Sequence, residues 1–241
     1  MMTEARNDCN SRKPKYGSAP FMKVSCLLAP SAALFLIFFS LAREGWAGQT
    51  EVASERTVVA NEPSFDAPSF EVAAESAYLL GIIGNPNSYE IGAEFLTARW
   101  RWGVNDNDRS LFRGYNQVYF LALAEPIFRG PENRYFGISA GFRHNFVRPG
   151  WRLVPYVSGG VGLGWIDSVA TVFGAQGQDF TFNILTAAGV SYKVSDHWKV
   201  NAGALYQHLS NAGITSPNPS LNLLGPQLGA ATRALLLGGT W

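Results

Sequence analysis

Long segments of this chain alternate, residue by residue, between large apolar side chains and small or polar ones. In 134–146 the apolar positions are Phe136, Ile138, Ala140, Phe142 and Phe146. The segments 151–165 and 179–193 repeat the pattern. Because successive side chains of a β-strand point to opposite faces, a period of two predicts strands with one apolar face and one face of small and polar residues.

Strands of this kind suit either a soluble β-sandwich or a membrane β-barrel, and three features favour the barrel. The segments run for about 9–13 residues, longer than most strands of soluble proteins and long enough for a tilted membrane crossing. Aromatic rings stand at their ends, as at Trp151, Trp165 and Trp198, where the interfacial girdles of such barrels lie. The one long apolar run of the chain is N-terminal and resembles an export signal.

Lipid cannot hydrogen-bond the edge of a sheet, so strands that cross it must close on themselves. The predicted fold is therefore all-β, an eight-stranded antiparallel transmembrane β-barrel. Its predicted strands are Ala77–Gly84, Tyr89–Trp100, Gly114–Pro126, Arg134–Phe146, Arg152–Ile166, Asp179–Lys193, Trp198–Ser210 and Leu221–Ala231. Eight strands make a barrel that side chains can fill, so we expect a packed interior rather than a pore.

The N-terminal region is interpreted as an export segment. The apolar run Val24 to Ala42 follows Met22 and Lys23 and precedes small residues at 45–48, which is the pattern of a secretory signal peptide. A single anchor helix is the alternative, since the run approaches the ~20 residues needed to span a membrane. We predict an N-terminal extension plus signal peptide at 1–48 with Met22 as the translation start, a mobile linker at 49–76, and the barrel with its catalytic site at 77–241.

Composition excludes several classes of function. The formal net charge of +1 leaves no basic stripe that could neutralise nucleic-acid phosphates. Cys9 and Cys26 both precede the predicted cleavage site, so the exported chain would have neither a disulfide nor a thiolate nucleophile. His144 and His197 are interpreted as an interfacial and a turn residue, and neither a metal site nor another cofactor is predicted.

The seventh predicted strand, Trp198–Ser210, ends in two polar residues on its apolar face. His208 and Ser210 follow the outward positions Trp198, Val200, Ala202, Ala204 and Tyr206. Unpaired polar groups are costly on a lipid-facing wall. Residues i and i+2 lie about 6.6 Å apart on one face, so the imidazole can reach the hydroxyl as serine catalysis requires. The alternative is that both side chains only extend into the headgroup zone.

Two stretches near the C-terminal end read His208-Leu209-Ser210-Asn211-Ala212-Gly213 and Pro217-Asn218-Pro219-Ser220-Leu221-Asn222. They resemble the outer-membrane lipid A 3-O-deacylase family, and the likeness extends over roughly Tyr89 to Gly229. The resemblance implies a serine esterase that removes the ester-linked 3-hydroxyacyl chain at position 3 of lipid A. Its partner would be lipopolysaccharide of the outer leaflet, and its location the cell outer membrane, reached by export. The resemblance leaves open whether the protein forms a homodimer.

The same resemblance assigns roles to residues. Ser210 matches the nucleophile and His208 its general base. The oxyanion and site-shaping positions are Asn211, Ala212, Gly213 and Asn218. Asn222 stands where family enzymes can use an acidic residue, and no Asp or Glu follows Asp196, so the implied triad is Ser-His-Asn. Asn222 shares the parity of Leu224, Pro226 and Leu228, which predicts that it too faces outward. If both chain ends are periplasmic, the seventh strand runs outward and places His208 and Ser210 at the outer leaflet.

Two other functions remain as alternatives. One is a non-catalytic outer-membrane barrel with a structural or binding role, which Asn222 and the irregular tail Ala230–Trp241 would favour. The other is a lipid acyltransferase on a similar barrel. The acylation of lipid A distinguishes the three functions: an esterase removes an acyl chain, a non-catalytic barrel leaves lipid A unchanged, and an acyltransferase adds a chain.

Overall fold

The computed structural model describes residues 65–82 and 88–233. Each strand pairs antiparallel with the next, and the first pairs with the last, which closes a barrel. The strands are β1 (Phe70–Gly81), β2 (Glu90–Asn105), β3 (Gly114–Arg129), β4 (Arg134–Phe146), β5 (Leu153–Ile166), β6 (Phe180–Lys193), β7 (Trp198–Ser210) and β8 (Leu221–Arg233). The predicted all-β fold with eight antiparallel strands is confirmed. Among the described residues, no helix is long and apolar enough to cross a membrane.

The bounds of β4 and β7 are those predicted, whereas the start of β1 was misplaced. β1 begins at Phe70 and takes in the last part of the predicted linker 49–76. Glu71 and Glu75 made this segment look polar and irregular. Both side chains point into the lumen, where Lys199 Nζ lies 2.7 Å from Glu71 and Arg99 Nη2 lies 2.6 Å from Glu75. The two cations lie on β2 and β7, and they pair with carboxylates of a strand that begins at Phe70. The boundary at residue 76 was therefore wrong.

The C-terminal end of β2 also differs from the prediction. β2 continues to Asn105, beyond its predicted end at Trp100, so the connection to β3 spans residues 106–113. The buried Arg113 side chain pairs with Asp106 at 2.8 Å and holds this turn closed.

Three predictions lie wholly or partly outside the described residues. These are the export segment 1–48, the linker up to residue 64, and the tail after Arg233. Within the described part, β8 runs two positions beyond its predicted end at Ala231 and pairs with β1 as far as Arg233.

The outer face of the barrel is apolar along its whole circumference. Large side chains exposed on it include Phe120, Phe136, Ile138, Phe142, Val161, Trp165, Phe182, Ile184 and Leu228. A surface of this kind is stable only against an apolar solvent such as the acyl chains of a bilayer. The predicted orientation, with large apolar residues outward and small or polar residues inward, is therefore confirmed for β4, β5 and β6.

The lumen is filled in two tiers. We call the end with the connections 130–133, 167–179 and 211–220 the loop end, and the end with residues 65 and 233 the terminal end. Toward the loop end the lumen holds an apolar cluster that includes Leu79, Ile91, Leu123, Leu205, Leu209, Leu221 and Leu223. Toward the terminal end it holds polar groups, among them the buried Glu75–Arg99 pair. A cavity of about 40 Å³ remains around that pair, too small for a pore. A wider one of about 420 Å³ opens at the terminal end, beside Tyr115, Ser191 and Lys199.

Glycines on the lumen face of β5 make room for tyrosine rings from other strands. A Cβ on Gly160 would lie 2.2 Å from the Tyr119 hydroxyl, and one on Gly164 would lie 2.5 Å from the Tyr135 hydroxyl. Contacts this short are repulsive, so only glycine lets these rings cross the lumen. The glycine-rich pattern of β5 therefore reflects packing.

Candidate active site

The outward face of β7 changes from apolar to polar at the loop end. His208 and Ser210 are half-buried there and follow the outward Tyr206. On β6, Ile184 pairs with His208 and Phe182 with Ser210. The two polar side chains therefore stand on the outer wall, bordered by exposed apolar residues, as predicted from the alternation of the strand.

Strand register places Asn222 of β8 directly opposite His208. The Nδ1 atom of His208 lies 2.9 Å from Asn222 Oδ1. The hydroxyl of Tyr206 donates to the same Oδ1 at 2.8 Å, and Asn222 Nδ2 donates to the Ser220 carbonyl at 3.3 Å. Because a carbonyl can only accept, this arrangement turns Oδ1 toward His208. His208 Nδ1 must then carry a hydrogen, which leaves Nε2 as the basic nitrogen.

Ser210 lies two residues from His208 on the same face. Its Oγ accepts the backbone N–H of Ala212 at 3.2 Å. Within the part of the chain that the structure describes, no hydrogen bond joins Ser210 to His208. Residues i and i+2 share one face of a strand, and catalytic hydrogen bonds often tighten only when substrate is present.

A compact turn follows Ser210. The Asn211 carbonyl accepts the N–H of Ile214 at 3.1 Å, and the two central residues have positive φ, 54° at Ala212 and 76° at Gly213. Positive φ at both central positions defines a type I′ turn. Alanine is uncommon in this conformation, because positive φ in a non-glycine residue costs about 1 kcal/mol or more of conformational free energy. The turn aims the N–H of Ala212 back at Ser210.

Asn211 holds this turn to the rest of the loop. Its side chain is fully buried; Oδ1 accepts the N–H of Gly213 at 2.9 Å, and Nδ2 donates to the carbonyls of Thr215 at 2.8 Å and Pro217 at 3.2 Å. Its backbone N–H donates to Asn218 Oδ1 at 3.2 Å. The bond to Oδ1 fixes the Asn218 amide, so its Nδ2 is the end that can donate elsewhere.

The loop is braced from two sides. Gly177 donates its N–H to the Pro217 carbonyl at 2.8 Å, which ties the connection 167–179 to the connection 211–220. On the lumenal side of β7, Gln207 Nε2 donates to both carboxyl oxygens of the buried Glu125 at 2.9 and 3.1 Å. The strand that carries His208 is thereby attached across the lumen to β3.

The structure brings together Ser210, His208 and Asn222, and it places Asn211, Ala212, Gly213 and Asn218 in the adjoining loop. Sequence reasoning missed Tyr206, which it treated as a lipid-facing ring. Its hydroxyl, two residues from His208 on the same face, was the available signal. His144 lies on the outer wall toward the terminal end, where it bonds Asn116 at 2.8 Å. The described residues contain no cluster of His, Cys, Asp and Glu that could hold a metal ion.

Comparison with known proteins assigns the chain to a family. No curated protein matches it. The solved structure of the outer membrane enzyme PagL is 18% identical, with a TM-score of 0.48 over 66% of this chain and 97% of that one. The structure of Neisserial surface protein A (NspA) is 17% identical, with a TM-score of 0.51 over 69% of this chain and 97% of that one. NspA shares the fold. A model of the lipid A 3-O-deacylase (PagL) family matches residues 88–231, more than half of the chain, and the chain therefore belongs to that family.

Proposed function

We propose that this protein is a serine esterase of the outer membrane that removes the ester-linked 3-hydroxyacyl chain at position 3 of lipid A. Family membership supports the deacylase activity. The observation that carries the mechanism is the 2.9 Å contact of His208 Nδ1 with Asn222 Oδ1, beside an outward-facing Ser210. A histidine oriented by an acceptor and next to a hydroxyl is the arrangement that serine catalysis uses.

The position of the site suits a lipid substrate. We propose that both chain ends are periplasmic and that residues 1–48, translated from Met22, direct export and are removed. β7 then runs outward, and Ser210 at its end lies at the level of the outer leaflet. An acyl ester of lipopolysaccharide would reach Ser210 from the bilayer side without entering the packed lumen.

The reaction would proceed through two acyl transfers. Ser210 Oγ attacks the ester carbonyl while His208 Nε2 accepts its proton. The tetrahedral intermediate collapses, the sugar oxygen leaves with the proton from His208, and the 3-hydroxyacyl chain stays on Ser210. Water then attacks this acyl-enzyme and gives a proton to His208. His208 passes that proton to Ser210 Oγ as the 3-hydroxy fatty acid departs.

We assign two donors to the negative oxygen of the tetrahedral intermediate. The N–H of Ala212 already points at Ser210 Oγ, and it becomes available when the serine turns toward His208. The Nδ2 group of Asn218 is the second, held by the bond from Asn211 to its oxygen. We assign Asn211 and Gly213 a different role, since the N–H groups of both donate within the loop and shape it.

Mass spectrometry of lipid A tests the proposal. Lipopolysaccharide incubated with purified protein should lose one 3-hydroxyacyl chain and release the free fatty acid. Unchanged lipid A would favour a non-catalytic barrel, and a gain of mass by one acyl chain in the presence of phospholipid would favour an acyltransferase. Either result would contradict the esterase.

Replacing Asn222 with alanine should slow the enzyme without abolishing activity. The substitution removes the acceptor for His208 Nδ1, so the ring loses its preferred tautomer and orientation. In a serine protease, loss of the orienting residue costs roughly 100-fold less than loss of the nucleophile, and we expect the same order here. The measurement is kcat on purified lipopolysaccharide beside Ser210→Ala. A parent-like rate would exclude the orienting role of Asn222.

A further inference from the structure

Asn222 accepts two hydrogen bonds on one oxygen. His208 Nδ1 and the Tyr206 hydroxyl lie 2.9 and 2.8 Å from Asn222 Oδ1. Tyr206 stands two residues before His208, on the same outward face of β7. The amide oxygen has two lone pairs, so both bonds form together.

An amide differs from a carboxylate in a way that matters for His208. A carboxylate presents an oxygen to the imidazole whichever way it turns, whereas an asparagine presents oxygen on one side and NH₂ on the other. If the Asn222 amide were flipped, its Nδ2 would donate to His208 Nδ1, and the hydrogen of the ring would move to Nε2. That tautomer cannot accept the proton of Ser210. In a serine protease, holding the wrong tautomer costs about 10⁴ in rate.

Two contacts oppose the flip. Ser220, at φ 51°, offers its carbonyl to Asn222 Nδ2 at 3.3 Å, a long hydrogen bond at the weak end of the range. The bond from Tyr206 is shorter by half an ångström and comes from a phenol. In the flipped state the Tyr206 hydrogen would lose its acceptor on a lipid-facing wall, where unsatisfied donors are costly, and Oδ1 would face the Ser220 carbonyl.

We propose that Tyr206 is a positioning residue that fixes the Asn222 amide with its oxygen toward His208. A neutral amide can then serve where family enzymes can use an acid. This role rests on the proposed esterase function. It is specific to the asparagine, because a carboxylate at position 222 would need no such orientation.

The test compares Tyr206→Phe in two backgrounds. In the parent chain the substitution should lower kcat at least 10-fold with little change in KM, because the ring stays and only the hydroxyl is lost. In the Asn222→Glu background, Tyr206→Phe should change kcat by less than about 2-fold. Tyr192→Phe, on the same outer face of the neighbouring strand and 43% exposed, is the matched control and should keep the parent rate. Equal losses in both backgrounds would show a merely structural role and overturn the proposal.

A second measurement does not depend on the activity of Asn222→Glu. ¹⁵N chemical shifts of the imidazole report which ring nitrogen carries the hydrogen, and His208→Gln identifies the His208 signals. The parent should show Nδ1–H, and Tyr206→Phe should raise the Nε2–H population. An unchanged tautomer ratio would overturn the proposal. If Ser210→Ala is inactive while Tyr206→Phe keeps the parent rate, only the role of Tyr206 fails. If Ser210→Ala keeps the parent rate, the esterase proposal fails and this role with it.

Discussion

Ser210→Ala is expected to lower deacylation by about 10⁴-fold or more, as loss of the nucleophile does in serine proteases. The hydroxyl supplies the atom that forms the acyl-enzyme, and alanine has no group that could replace it. His208→Ala should cost a similar factor, because the serine is a weak nucleophile without its base. The two residues act as a unit, so the double variant should be little slower than either single one.

The control for this prediction is Thr232→Ala. Thr232 also carries a hydroxyl on the outer wall, paired with Trp198 at the terminal end of β7, far from the site. It should keep the parent rate. Each variant should also keep the difference in gel mobility between unheated and heated samples that a closed barrel gives, because its backbone bonds stay within the sheet. Substantial activity in folded Ser210→Ala would mean that Ser210 is not the nucleophile.

Much of the fold could be predicted because alternation is a local property. In β4 and in β7 the alternation of apolar and polar residues is visible in the strand's own sequence. The predicted bounds of both strands were those found. The same parity argument placed His208, Ser210 and Asn222 on the outer wall. A period of two fixes which side chains share a face whatever the remote partners are.

The parts that could not be predicted depend on which strands meet. Glu71 resembles a linker residue until Lys199, far along the chain, is found 2.7 Å away. Parity placed Asn222 outward, but only the register of β7 with β8 puts it opposite His208. The role of Tyr206 depends on that same register. Its place two residues from His208 could be seen in the sequence, but its bond to Asn222 could not.

Removing one partner of the lumenal ion pair between β1 and β2 should destabilise the barrel, because the other charge is then left buried. Arg99 and Glu75 are both buried, at 2.6 Å, and Asn201 Nδ2 donates to the other Glu75 oxygen at 3.0 Å. Arg99→Met would leave the carboxylate buried with a single amide partner. Removal of one partner from a buried pair typically costs 3–5 kcal/mol. Because Arg143 lines the same cavity, we expect a loss near the lower limit, about 3 kcal/mol in the free energy of unfolding.

Equilibrium urea unfolding in lipid vesicles measures this loss, and two further variants serve as comparisons. Arg129→Met breaks an ion pair with Glu90 at 3.1 Å in which Arg129 is 64% exposed, and exposed pairs contribute only about 0–1 kcal/mol. The double variant Arg99→Met, Glu75→Gln removes both charges and should recover most of the stability, because the penalty comes from the carboxylate left without its cation. If Arg99→Met were as mild as Arg129→Met, Glu75 would have to find its counter-charge in Arg143. Arg143→Met in the Arg99→Met background would then cause the loss that Arg99→Met alone did not.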